Sequence, residues 1–392
     1  MLNRHSIFLI LMAALVGIPI TEADPNGRDS QDKGHSRSSW TWVDNCHVLR
    51  PHDLTDFGTH CSLLATYQLQ SILSGANIEG KTRGDFTYIT TIEQDLWRGG
   101  SLIVYGEGGK GKGIDPLLNN SLSTNATIEE AGIYVSRFFL LGDLLPGRLQ
   151  VLAGKVAMSD FFDTSAVANC ETREFLAGPL VNNPTIPFPD FGLGAAVKIY
   201  PLQRIYLQAG LADAKARGTT TGFESAFGQE LKLFRIMEVG LPADFDGRRG
   251  TYRFMYWHSP VSQSASGEFA LQSSDGWALS FDQQIEDTLT IFTRYGYAAR
   301  PVADMQHFWS AGGRVNGVWS GVRDDFLEVA VGLGISPDQH VRDNETLVEM
   351  NYSAQINESL AITPLVQIIR GLPDYKGSTS AVIAGFRVVW AF

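Results

Sequence analysis

From about residue 60 to the C-terminus, apolar and polar positions alternate in segments of roughly ten residues. In 345–356, Thr346, Val348, Met350, Tyr352, Ala354 and Ile356 share one face, and Glu349, Asn351, Ser353 and Gln355 share the other. In 288–298, Leu289, Ile291, Thr293, Tyr295 and Tyr297 oppose Thr290, Phe292, Arg294 and Gly296. In 381–391, Val382, Ala384, Phe386, Val388 and Trp390 oppose Ile383, Gly385, Arg387 and Val389. A period of two belongs to a strand with one wall against an apolar medium and the other against water or a polar interior. The pattern predicts strands at 60–73, 83–96, 101–110, 127–138, 147–155, 192–200, 203–213, 229–240, 250–258, 276–285, 288–298, 308–319, 325–335, 345–356, 359–369 and 381–391.

A soluble β-sandwich would give the same local signal. Count and connector length separate the two. The number of strands, about sixteen, is even, as in outer-membrane barrels. Short turns at Arg98–Gly100, Pro201–Gln203, Glu286–Asp287 and Asn357–Glu358 alternate with longer connectors at 111–126, 156–191, 214–228, 259–275 and 371–380. Short turns on one rim and long loops on the other mark such a barrel. An open sheet edge in hydrocarbon would leave N–H and C=O groups unpaired, at several kcal/mol each, so the sheet must close. The expected fold is therefore all-β, a transmembrane antiparallel β-barrel. Pro364 falls inside a strand on its apolar face, which predicts a bulge or local break there. Trp97, Trp277, Trp309, Trp319 and Trp390 lie near strand ends, where interfacial girdles form.

The remaining chain places this domain outside the cytoplasm. Arg4 and His5 precede an apolar run from Ile7 to Ile20, with a cleavage site expected after Ala23. The domain plan is a signal peptide at 1–23, a polar periplasmic segment at 24–59 and the barrel at 60–392. Residues 46–60 are read as a short helix or plug-like turn. With 31 Lys and Arg against 42 Asp and Glu, the formal charge is -11, which argues against a nucleic-acid partner. Of three cysteines, Cys46 and Cys61 could bridge in an oxidising compartment, leaving Cys170 over.

Four stretches resemble the carbohydrate-selective porin family of Gram-negative outer membranes. Residues 147–162 are similar to its strand ending in glycine-lysine and leading into an aspartate-containing loop. Residues 200–213 carry a Tyr-Leu-Gln-Ala-Gly core at 206–210. Residues 275–297 form a strand, tight turn and strand, and 345–370 with the aromatic C-terminus resemble its closing strands. The N-terminus and the Cys46/Cys61 pair depart from the family pattern. The resemblance implies a sixteen-stranded barrel that passes monosaccharides and related solutes. It also implies that the long connector at 156–191 folds inward as a constriction loop. Val156–Val167 is read as a short luminal helix, and Pro179–Pro189, with four prolines, as a stiff extended run.

Selectivity comes from the diameter and side chains of the narrowing. Sugar hydroxyls need donors and acceptors, and pyranose faces need apolar or aromatic surface. The candidates at or in the loop are Lys155, Asp160, Phe162, Arg173 and Glu174. On the wall they are Arg235, Arg253, Trp257, Arg294 and Glu349. Arg253 and Trp257 are luminal only if Tyr252, Phe254 and Tyr256 meet lipid. The alternative for each is a solvated luminal charge or a rim ion pair.

The glycine-rich stretch Gly106–Gly113 lacks the spacing of a phosphate-binding loop and is read as a mobile basic external loop. The histidines near residues 47–60 fit no strong zinc pattern, and no nucleophile–base–orienter set is visible. No cofactor is called for, and the chain is read as no enzyme. The expected function is passive diffusion of small hydrophilic solutes, with sugars as substrates and outer-membrane lipid as surroundings. Two rivals remain: an outer-membrane hydrolase and a non-conducting structural or adhesion barrel. Both a homo-oligomer, such as a trimer, and a monomer are open.

Overall fold

The computed structural model describes residues 52–55, 58–75, 78–126, 132–202, 204–228, 231–263, 269–270, 272–302, 305–319, 325–337, 343–375 and 378–392. The expected leader, most of the polar segment and Cys46 lie outside the described residues.

Sixteen strands form the barrel: β1 (Thr59–Gly75), β2 (Thr82–Trp97), β3 (Gly100–Gly111), β4 (Tyr134–Leu145), β5 (Leu149–Val156), β6 (Gly192–Leu202), β7 (Ile205–Asp213) and β8 (Leu233–Phe245), followed by β9 (Arg248–Ser259), β10 (Ser274–Gln284), β11 (Leu289–Val302), β12 (Met305–Asn316), β13 (Phe326–Ile335), β14 (Glu345–Asn357), β15 (Leu360–Tyr375) and β16 (Ser378–Ala391). Each pairs antiparallel with its sequence neighbour, and β16 pairs with β1, from Ala381 opposite Gly75 to Ala391 opposite Leu64. The ring is closed, so no strand edge is left to face lipid. A short strand at His52–Thr55 pairs with the start of β1, where a helix or plug-like turn was expected.

The period of two is what sets the two walls. On β9, Arg253, Met255 and Trp257 are 8%, 0% and 0% exposed, whereas Phe254 and Tyr256 are 48% and 47% exposed. On β16, Ile383 and Arg387 are buried inside and Phe386 is exposed outside. Trp97, Trp309 and Trp319 are exposed. Trp277 packs against Phe254, Tyr295 and Tyr297 on the outer wall. Such rings suit the boundary between hydrocarbon and headgroups.

Connectors sort by rim. Turns 98–99, 146–148, 203–204, 246–247, 285–288 and 358–359 share one rim with the longer connector 317–325, while 112–133, 157–191, 214–232 and 260–273 share the other with the short connectors 303–304 and 376–377. The short-turn rim is the periplasmic one. Three connectors differ from the sequence expectation. The connector expected at 371–380 shrinks to 376–377, because β15 and β16 continue past it. β4 starts at Tyr134 rather than 127, and the connector before it contains α1 (Asp115–Leu118). Gly106–Gly111 belongs to β3 and pairs with β2, so it is wall rather than loop. Pro364 interrupts pairing as expected, but on one side only. The β14–β15 register passes from Asn351–Leu365 to Ala354–Ile362 with the intervening pairs missing. The β15–β16 pairing runs unbroken through Pro364 opposite Phe386. The ring removes one N–H donor and leaves the register intact.

Candidate functional site

Two connectors turn back into the bore. The longer, residues 157–191, contains a three-residue helical turn at Met158–Asp160 and α2 (Gly178–Val181). The expected helix over 156–167 is thus one turn only. Pro179 starts α2 instead of extending the chain, since its fixed φ and missing N–H suit a first helical position.

The loop is seated first by apolar burial. Phe161, Phe162, Phe175 and Leu180 are at most 1% exposed, and each such burial is worth about 1.5–3 kcal/mol. The wall is shaved to receive them. A Cβ on Gly210 would lie 2.7 Å from the Phe162 ring. One on Gly296 would strike the side chains of Thr185 and Asn183.

Buried charges then fix the loop's backbone. Arg294 donates from Nε to Asp163 (3.2 Å) and from its two Nη atoms to the carbonyls of Leu180, Asp163 and Ala168 (2.9, 3.0 and 2.6 Å). Glu349 accepts from the backbone N–H groups of Leu176 and Ala177 (2.7 and 2.9 Å). Arg387 donates to the carbonyls of Glu171 and Glu174 (2.6 and 2.8 Å). Glu174 accepts from the Cys170 N–H and pairs with Arg314 at 2.6 Å. These contacts answer the need of a buried loop for backbone partners.

The second inward loop was not foreseen. Asp115 accepts from the Thr124 N–H and the Ser123 hydroxyl. Gln367 donates to the Thr124 carbonyl, and Asn125 donates to Asp85. Glu345 accepts from the Leu122 N–H. Both loops lean on the far wall, joined by Ala126 N–H to the Leu176 carbonyl.

A cavity of about 250 Å³ lies against β2–β4. Its charged lining is Glu107 of β3, Arg137 of β4, and Asp160 and Glu171 of the loop, with Tyr105, Phe191, Asn169 and Asn182 beside them. Arg137 donates to Glu107 and to Asp160 (2.6 Å for the latter). Its guanidinium lies 4.2 Å from the Tyr105 ring centre and 5.1 Å from that of Phe191. Paired oxygens and flanking rings hold that cation in one place. Confinement in the lumen pushes the Glu171 carboxyl up to about 7; its own backbone N–H and Arg137 oppose the rise, and nearby Asp160 and Glu107 add to it.

Of the residues expected at the narrowing, Asp160 lines this cavity. Arg294, Glu349 and Glu174 serve the loop instead. Lys155 is buried, with Nζ donating to the carbonyls of Val135, Gly218 and Thr220 (2.7, 2.6 and 2.6 Å), and so ties β5 to β4 and to the 214–232 connector. Phe162 and Trp257 are core. Arg253 is luminal and paired with Asp282 at 2.5 Å. Arg173 is half-buried in the loop, outside the cavity lining. Arg235 points outward, because Phe234, Ile236 and Glu238 hold the luminal face of β8. The Cys46–Cys61 bridge is not formed: Cys61 is free and Cys170 is the disulfide-bonded one. Cys61 sits on the outward parity of β1, opposite to buried Ser62 and Leu64.

A closed sixteen-stranded barrel with polar loops packed in its bore and a charged, ring-lined opening along one wall is an outer-membrane porin. The chain belongs to the carbohydrate-selective porin OprB family, whose model matches residues 119–392. Such a barrel lies in the outer membrane of a Gram-negative bacterium and is not an enzyme. The high-pH structure of Pseudomonas putida OprB is similar in fold, with a TM-score of 0.73, 15% identity, and coverage of 86% of this chain and 95% of that one. The Acinetobacter baumannii outer membrane channel DcaP aligns at a TM-score of 0.51 and 11% identity, over 86% of this chain and 99% of that one. Porin AaxA of Chlamydia abortus is 21% identical over 223 residues, 53% of this chain and 46% of that protein. The chain thus matches about half the length of that curated relative.

Proposed function

We propose that the chain is a passive diffusion channel for small hydrophilic solutes, carbohydrates of monosaccharide size above all. The observation that carries this reading is the opening against β2–β4, where Arg137, Glu107 and Asp160 sit beside Tyr105 and Phe191. Charged donors and acceptors serve hydroxyls, and rings serve the apolar faces of a pyranose. Asp160 is the expected site residue that we assign to this eyelet. We assign Lys155, Phe162, Glu174, Arg253, Trp257, Arg294 and Glu349 to its support. The passage lies within one chain, so the reading holds for a monomer and a trimer alike.

Proteoliposome swelling in a size series tests it. Monosaccharides are expected to enter fastest, with rates falling steeply through di- and trisaccharides. Equal exclusion of all sugars by a folded barrel would favour the non-conducting rival.

The Glu171 carboxyl adds a pH dependence. With its pKa raised to about 7, it is protonated below that pH and charged above it. Single-channel conductance in KCl is expected to shift between pH 6 and 8, and Glu171→Gln is expected to flatten that step. Glu107, Asp160, Arg137 and Arg387 are the charged groups acting on it.

A further inference from the structure

We propose that the outward wall of β8–β10, at the rim opposite the periplasm, binds a phosphorylated glycolipid of the outer leaflet, with Arg235 as its phosphate contact. Arg235 is exposed on the lipid-facing parity of β8, in line with Leu233, Met237 and Val239. It makes no hydrogen bond or ion pair among the described residues. A charge on such a wall is costly at mid-bilayer and nearly free at the interface, so its depth decides its role. Register sets that depth. Arg235 stands opposite His258, and His258 opposite Asp275. The next row toward the membrane centre runs Met237, Tyr256, Trp277 and Tyr297. Arg235 therefore lies ~7 Å along its strand beyond an aromatic row, and rings of that kind mark where hydrocarbon gives way to head groups. Asp275, the carboxylate of its own row, pairs with His258 at 2.9 Å and accepts from the Tyr256 hydroxyl at 2.8 Å; Arg235 does not act on it. The guanidinium is left as a planar fork of five donors, which matches a phosphate in bidentate fashion.

The connector that leads into β8 points to lipid independently. Lys155 stands opposite Phe138 and Leu193 on the outward parity, and it holds the carbonyls of Gly218 and Thr220. Beyond them the connector lies on the outer wall. A Cβ on Gly222 would sit 3.6 Å from Leu193, and Phe223 stacks on Phe138 at 6.5 Å. Phe227 stacks on Phe223 at 6.1 Å and is 76% exposed. A ring so exposed, on a connector laid against a lipid-facing wall, is served by acyl chains rather than water. Charge agrees: residues 214–235 carry four cations, Lys215, Arg217, Lys232 and Arg235, against the carboxylates Glu224 and Glu230. Basic side chains at head-group depth beside apolar rings complement a lipid whose phosphates sit on a sugar head group above its chains. The rim faces the cell exterior, so the leaflet it meets is the one built of such glycolipid.

The test titrates the full purified chain in detergent with diphosphoryl lipid A, with its dephosphorylated form and with phosphatidylglycerol, and counts bound lipid by native mass spectrometry. Diphosphoryl lipid A is expected to bind at least about five-fold more tightly than either of the others. Arg235→Ala should weaken its binding about five-fold, and Arg235→Lys less, because an ammonium keeps the charge and loses the fork. Arg249→Ala, exposed at the periplasmic rim, should leave binding unchanged. Arg235 faces away from the bore, so its loss is read in lipid binding and not in ion permeation. Should Arg235→Ala fail to fold, the wild-type preference among the three lipids decides alone. Equal binding of the dephosphorylated lipid or of phosphatidylglycerol, no binding at all, or full binding by the Arg235→Ala protein overturns the proposal and leaves the channel reading standing.

Discussion

Arg294→Ala is expected to unseat the inward loop while the barrel still inserts. The side chain is 1% exposed and holds three loop carbonyls and one carboxylate from the wall of β11. Truncation leaves Asp163 buried without its cation, and removing one partner of a buried pair costs about 3–5 kcal/mol. The cost falls on loop docking, because the backbone ladder of β11 with β10 and β12 does not use the side chain. Single-channel conductance should rise about two-fold with added flicker, since the constriction sets the resistance. Unchanged, quiet openings would show that apolar packing of Phe161, Phe162 and Phe175 suffices to hold the loop.

Removal of Arg137 should act on selectivity more than on stability. Arg137→Ala deletes the one cation in the lining and leaves Glu107, Asp160 and Glu171 to repel one another across the opening. Water in the cavity can solvate these carboxylates, so the penalty is smaller than for a sealed pair. The expected result is a wider passage whose potassium-over-chloride permeability ratio rises roughly three-fold over wild type. Reversal potentials under a salt gradient measure it, with Arg235→Ala as the outward-facing control. A fall in cation preference would mean that Arg137 lies off the ion path.

The alternation along the chain made the barrel legible. Sixteen segments, the parity of Arg253 and Trp257, and the four short turns were all readable because a strand's faces follow from a period of two. Parity tells only that a side chain points inward. It does not tell whether the side chain then meets water or a returning loop. Arg294, Glu349 and Glu174 were read as pore candidates for being luminal, yet each is spent on loop backbone. Arg235 misled for a related reason: β8 carries Arg235 on one face and Glu238 on the other, and Glu238 takes the inner one. Arg137 was missed because the alternation fails at that point. Tyr105 pairs with Arg137 and Gly106 with Val135, which skips Ser136, and Ser136 and Arg137 are both buried. A bulge of this kind re-aims a side chain beside a functional site. Glu107 lay within a glycine-rich run that composition marks as loop and the structure places in β3.

The central claim is that an aqueous path runs between the packed loops and the β2–β4 wall. Single-channel recording of the purified chain in a planar bilayer, with Glu107 replaced by cysteine and a thiol-reactive cation added, addresses it most directly. The account predicts discrete openings in which labelling at position 107 blocks current stepwise. Steady openings untouched by labelling, with the same variant shown to have reacted, would place the conducting route elsewhere and contradict it.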